Sequence, residues 1–306
     1  MATAASFSRT WQAFGGRKDV LRVDGQQLVV HRAGAGIPLV AIHGWAMGGQ
    51  SFAPQLELTR QGFELIAPDL PGFAGSPGPD VTTHSPRDAS SISAYSELFR
   101  ALIEAMDLDQ VILVGWSMGA AIAWHLASRN DQFLAGLISI DMSPKVAPAE
   151  DWQFAMSPAP TPATMKASLE SMAGDWPAYC DLFLDRIFAH PDDIARTSLA
   201  RLALAADSQI AALAWQSLMA IDLRRDLPQI AVPSLTIHGG QSRLYPVTVA
   251  AEIARSMPNC RALVFEEAGH APHIEIAPAF NAAVSDLAAR GIRTKAPRHP
   301  LSSHPW

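Results

Sequence analysis

The hydrophobic pattern changes character along this 306-residue chain. Near the start, VLRVDG (20–25) and QLVVHRAG (27–34) alternate apolar and polar positions on either side of Asp24-Gly25, the signature of an antiparallel hairpin. The pattern then switches to continuous apolar runs, each closed by a glycine or proline turn: PLVAIHG (38–44), FELIAPDLPG (63–72), QVILVG (110–115), LAGLISID (134–141), PSLTIHGG (233–240) and RALVFEEAGH (261–270). Strands apolar on both faces belong in a parallel sheet covered by helices on each side. Helical periodicity over Ile92–Met106, Ser117–Arg129, Val247–Met257 and Pro278–Ala289 supplies those covers. Strand and helix thus alternate, which predicts right-handed crossovers and a doubly wound, mostly parallel α/β sheet.

The alternation stops between about Val146 and Leu223. This segment opens with proline-rich text, SPKVAPAEDW and SPAPTPATM, and continues in helix-like sequence. It carries large apolar residues, among them Trp152, Phe154, Met156, Met165, Met172, Trp176, Phe183, Phe188, Trp215 and Met219. We expect a helical cap over 147–223, inserted between two strands of a core built from 1–146 and 224–292. Most of its large residues should form the cap's own core, and the rest should line a pocket beneath it. The first 17 or so residues are expected to be loose, and the tail, 293–306, to be disordered.

Composition narrows the function classes. Apolar residues make up 49% of the chain, the formal charge is −6, and no cluster of Lys and Arg could track a phosphate backbone, so nucleic acid is excluded as a partner. Cys180 and Cys260 stand alone, without metal-like or disulfide-framework spacing. With no signal-like apolar run and no window approaching the ~18 to 20 apolar residues of a membrane span, a cytoplasmic protein acting on small molecules is expected. No metal or nucleotide motif is present, so no cofactor is expected.

Three short stretches carry chemistry. GWSMG, Gly115–Gly119, lies directly between a strand and a helix, where a serine must turn the chain sharply and glycines two before and two after it avoid a clash. Ser117 would then be presented at a helix N-terminus, which favours developing negative charge. HGW, His43–Trp45, ends another strand, and the backbone N–H groups of Trp45 and Met118 form the natural donor pair for a tetrahedral oxyanion. His43 itself reads as a loop brace. EEAGHAPH follows the last strand and offers His270 as the base for Ser117, with His273 as a solvent-facing or pocket-rim residue.

In this order HGW, DLPGFAGS (69–76), GWSMG, the helical insertion and GHAPH resemble the α/β-hydrolase superfamily over nearly the whole chain. Within it the text is similar to the pimeloyl-carrier-protein methyl ester esterases and related carboxylesterases. The resemblance implies a carboxylic ester hydrolase with Ser117 as nucleophile, His270 as base and the Trp45 and Met118 amides as oxyanion hole. Trp116, Trp152 and Tyr245 are expected in the substrate pocket.

One element departs from the pattern. In most members of the superfamily the acid follows the strand that ends in IHGGQSRLYP, at the position filled here by Ser242, and serine cannot stabilise an imidazolium by charge. Asp141 ends the strand after the nucleophile helix and should project from the same sheet edge, an arrangement similar to that of some dehalogenases, lipases and lactonases of this fold. Two alternatives stand beside it: Asp141 as a cap of the DMSP turn, and a Ser-His dyad with Ser242 or water holding the imidazole. A serine nucleophile argues against dehalogenase and epoxide hydrolase chemistry. Thioester hydrolysis, lactone opening and acyl transfer use the same serine, and a small-molecule binding protein with little turnover is the rival of a different class.

Overall fold

Eight strands form one sheet in the order β1-β2-β4-β3-β5-β6-β7-β8. The computed structural model describes residues 6–79, 85–129, 132–190 and 192–291. The strands are β1 (Arg17–Val23), β2 (Gln26–Gly34), β3 (Ile37–Ile42), β4 (Phe63–Pro68), β5 (Val111–Trp116), β6 (Leu134–Ile140), β7 (Ser234–Gly239) and β8 (Cys260–Phe265). β1 and β2 pair antiparallel across Asp24-Gly25, β2 meets β4 antiparallel, and every pairing from β4 through β8 is parallel. The chain therefore has the predicted doubly wound α/β architecture.

The helices are α1 (Phe7–Ala13), α2 (Pro86–Ala89), α3 (Ile92–Ala105), α4 (Met118–Ala127), α5 (Pro162–Gly174), α6 (Trp176–Leu184), α7 (Asp193–Leu204), α8 (Ser208–Ala220), α9 (Val249–Ser256), α10 (Pro272–Glu275) and α11 (Ala277–Gly291). Because side chains alternate across a strand, neighbouring residues serve different cores. Val40, Ile42 and Leu113 join a cluster with Tyr95, Phe99 and Trp124, while Leu39, Ala41, Ile112 and Val114 join another with Phe52, Phe280 and Val284. Burial on both faces is why these strands are written without polar alternation.

Helices α5 to α8 all lie between β6 and β7, which nonetheless pair directly. The segment leaves and re-enters the sheet at one place: Lys145 and Asp222 form an antiparallel bridge, closed by an ion pair of 3.0 Å, and the Leu223 amide donates to Pro144 O. Four helices can thus be inserted without disturbing the strand register.

Two expectations are corrected. The first residues are not all loose, since α1 buries Phe7 and Trp11 against the kinked 3₁₀ helix Gly49–Gln61 that connects β3 to β4. His273 is neither solvent-facing nor on a rim. The turn of α10 sends its ring beneath Trp116, at a centroid distance of 4.7 Å, between Phe52 and Phe280. The expected tail at 293–306 lies outside the described residues. Among the described residues no helix is long and apolar enough to cross a membrane.

Neither ring nitrogen of His273 has a hydrogen-bond partner among the described residues, and burial pushes its pKa down to about 3. Burial also lowers His43 and His238. The fold thus holds three imidazoles neutral, whereas the unfolded chain protonates them below a pH of about 6.5. Stability conferred in this way is complete above that pH and is lost as pH falls toward the folded-state values, by at most about 1.4 kcal/mol per pH unit for each imidazole. The urea midpoint should accordingly fall between about pH 7 and about pH 5, and His273→Phe should flatten that fall. An unaltered pH slope in the variant would show that the His273 ring is not held neutral.

Candidate active site

Ser117 stands at the junction of β5 and α4 with φ 52° and ψ −118°, a left-handed region that a residue with a side chain occupies only under constraint. The constraint is visible on both sides. The Ser117 amide donates to Ile140 O at 2.8 Å, extending the β5–β6 ladder by one residue, and Ser117 O accepts from the Ala120 amide at 2.8 Å to open the helix. A Cβ on Gly115 would overlap the Gly119 carbonyl, and one on Gly119 would overlap that of Ile42. Both glycines of the pentapeptide are therefore needed for the turn to close.

Asp141 occupies the corresponding position one strand further along, its amide donating to Ile237 O at 2.8 Å and its own φ at 43°. Its carboxylate is fully buried and accepts three hydrogen bonds. Oδ1 accepts from His270 Nδ1 at 2.7 Å and from Ser242 Oγ at 2.7 Å, and Oδ2 accepts from the Gly239 amide at 3.0 Å. Burial alone would raise its pKa, but the hydrogen bond and charge of His270, the charge of His238 and the Gly239 donor together hold it below the ordinary carboxylate value. The structure thus brings Asp141 and His270 together, and Ser242 meets the carboxylate and not the imidazole.

His270 is fixed from several sides. Its amide donates to Ile187 O at 2.7 Å, and its carbonyl accepts from Nε1 of Trp116, the residue before Ser117, at 2.8 Å. Glu275 organises the loop around it, with Oε1 accepting from the Gly269 and Ala271 amides on either side and Oε2 from Ala189 of the insertion. Burial raises the Glu275 carboxyl against the lowering effect of these donors. With Nδ1 committed to Asp141, His270 has Nε2 as its remaining ring nitrogen.

The Trp45 and Met118 amides donate to no acceptor among the described residues. His43 braces the Trp45 loop: Nδ1 donates to Gly44 O at 2.7 Å and Nε2 accepts from the Leu70 amide at 2.9 Å. The indole of Trp45 reaches into the insertion, donating to Ala211 O at 2.7 Å and packing edge-on against Trp176, Tyr179 and Phe183.

A cavity of about 170 Å³ opens over Ser117. Its floor includes Trp45, and its walls are mostly apolar side chains of the insertion, such as Met156, Met165 and Phe183, with Leu244 and Tyr245 from the loop after β7.

The sequence profile described as the alpha/beta hydrolase fold matches residues 37–276. The chain belongs to the α/β-hydrolase fold family. Two proteins named pimeloyl-acyl-carrier-protein methyl ester esterase are similar to it. That of Vibrio atlanticus is 29% identical over 261 residues, 82% of this chain and 93% of the relative. That of Aeromonas salmonicida is 32% identical over 252 residues, 80% and 92% of the two chains. The structure of an esterase from Exiguobacterium antarcticum matches with a TM-score of 0.81 at 23% identity, covering 89% of this chain and 100% of that one, a likeness of fold.

For this α/β hydrolase two of the expected pocket residues need correction. Tyr245 lines the cavity, but Trp116 and Trp152 do not. Trp116 is an inward-facing residue of β5, drawn toward His270 O by its indole N–H. Trp152 is held at the base of the insertion, donating to Lys145 O at 2.9 Å, with the Arg224 guanidinium over its ring. Glu275, Tyr179 and Arg186 stand at the site without belonging to any of the three sequence motifs. Glu275 could have been sought as an acid one helical turn after the histidine. Trp176, Tyr179 and Phe183, spaced i, i+3 and i+7, already spell one face of α6.

Because Asp141 is held below its ordinary value of 3.8, it stays ionised wherever an imidazole titrates. The acid limb of kcat/KM for a neutral ester should therefore follow a single proton, with no second step from Asp141. Recovery of activity on return to neutral pH separates titration from unfolding. A limb with a slope of two would contradict the assignment.

Proposed function

We propose that this α/β hydrolase is a serine esterase that cleaves carboxylic esters of small to medium apolar substrates through an acyl-Ser117 intermediate. The single observation that carries the reading is the 2.7 Å hydrogen bond between His270 Nδ1 and the buried Asp141 carboxylate, beside a strained serine elbow. An imidazole held in that tautomer offers Nε2 as a base.

In the proposed cycle His270 takes the Ser117 proton as Oγ attacks the ester carbonyl. Asp141 stabilises the imidazolium through Nδ1–H, and the Trp45 and Met118 amides receive the oxyanion. His270 then gives the proton to the departing alkoxide. Water repeats the sequence and releases the acid, so Ser117 and His270 are regenerated. Residues 147–223 act as the cap that shapes the cavity, and its modest volume, close to that of a benzene-sized void, favours a short chain or ring on the bound side. The named activity of the relatives supports a methyl ester or similarly small leaving alcohol.

Three variants test the triad. Ser117→Ala should abolish turnover and labelling by a fluorophosphonate. Asp141→Asn should lower kcat by about 10²- to 10⁴-fold without unfolding the chain, and Ser242→Ala by no more than about tenfold, since it removes one of three donors to the carboxylate. Because Ser242 Oγ lies 2.7 Å from Asp141 Oδ1, adding Ser242→Asp to Asp141→Asn should restore part of the lost rate. Wild-type rates in Asp141→Asn would remove Asp141 from the mechanism.

A p-nitrophenyl ester series of increasing acyl length tests the substrate class. Turnover should be highest for the shorter acyl chains and fall as the chain outgrows the cavity. Negligible turnover at every length would identify a binding protein instead.

A further inference from the structure

Arg186 is the one charged side chain among the described residues that line the cavity over Ser117. It follows α6, on the wall opposite no carboxylate: among the described residues it forms no ion pair, and its Nη2 donates only to the carbonyls of Ser157 and Arg243. Nη1 and Nε donate to no acceptor among the described residues. The acids nearest in sequence are engaged elsewhere, since Asp181 and Asp185 both hold Arg196. Arg243, close enough to act on Arg186, likewise donates to carbonyls, those of Asp185 and Phe188. The cavity therefore has a half-buried cation with no counter-charge among the described residues, in walls that are otherwise uncharged and mostly apolar. Burial lowers the Arg186 pKa, the mark of a cation in a poorly solvated place.

A guanidinium desolvated without an anion is costly, and two carbonyls offset only part of that cost. An incoming carboxylate offers the missing partner, and a charge-assisted, fork-like contact to arginine is among the stronger polar interactions available. Resting on the esterase reading above, we infer that Arg186 is a specificity-determining residue that binds a free carboxylate at the remote end of the substrate, which makes the preferred substrate a monoester of a dicarboxylic acid. The apolar walls accommodate the intervening methylenes, Ser117 attacks the esterified end, and the free acid sits on Arg186.

The test compares the monomethyl ester of a dicarboxylic acid with the dimethyl ester of the same acid, across a series of chain lengths. At the best length, wild-type kcat/KM should favour the monomethyl ester by about tenfold or more, chiefly through KM. Arg186→Gln should bring that ratio close to unity, and Arg186→Lys should retain part of it. Equal use of both esters by the wild type would overturn the proposal. So would a parallel loss on both esters in Arg186→Gln, which would make Arg186 a strut between Ser157 and Arg243. Turnover of neither methyl ester by a protein whose Ser117 is labelled by a fluorophosphonate also overturns it. Failure of the labelling itself is instead a failure of the esterase reading.

Discussion

A carboxylate sealed from water at the end of β6 sets the terms for everything around it. Removing an ionised acid from solvent is costly unless donors replace its hydration, and Asp141 obtains them from three parts of the chain. The end of β7 gives the Gly239 amide, the following loop gives Ser242, and the loop after β8 gives His270. Each donor is committed by this bond to one place and one orientation. The orientation of the imidazole is therefore a by-product of satisfying a buried charge, and the ring cannot turn without taking from the carboxylate one of its three donors.

The same need explains how a serine stands where the superfamily most often has its acid. Ser242 donates to Asp141 and accepts, at longer range, from the Leu244 and Tyr245 amides, so its hydroxyl links the carboxylate to the backbone of its own loop. An acid at 242 beside Asp141 would place two negative charges in one buried site, and one of them would be driven to take up a proton. With the charge supplied from β6, a neutral donor is the residue type that position 242 can use. The dyad alternative, in which Ser242 holds the imidazole, does not describe the contacts found.

What could be read in the sequence was whatever ends a strand. The β3, β5 and β6 runs are unbroken, so their last residues could be counted to the sheet edge, and His43, Ser117 and Asp141 follow from that count. Position at the edge says little about direction, however. Trp116 neighbours Ser117 in the text, yet period-two alternation turns it into the opposite core, and Trp152 is diverted by carbonyl acceptors at the base of the insertion. The α1 helix was missed because seven residues give a periodic pattern almost nothing to repeat, and its order comes from Phe7 and Trp11 packing on a distant segment. Arg186 works through the carbonyls of Ser157 and Arg243, 29 and 57 residues away, a relation that spacing does not encode.

The insertion is more than a cover. Ile187 O receives the amide of His270, Ala189 N is bound by the same Glu275 that holds the amides flanking His270, and Ala211 O receives the indole of Trp45, whose backbone amide is half of the proposed oxyanion hole. Two of the groups assigned to catalysis are thus tied directly to the segment that shapes the cavity. A rigid lifting of the whole segment would break these bonds and disorder the base and the donor loop together. Other parts of the insertion line the cavity without such a tie. The proline-rich entry around Pro158 and Pro160 and the start of α5 at Thr164 and Met165 line the cavity, and none of these four contributes a hydrogen bond to His270, Glu275 or Trp45 among the described residues. The insertion is thus built in two parts, one bonded to the loops that carry His270 and Trp45, the other, around Ser157, bonded to Leu244 and Arg186 beside the cavity.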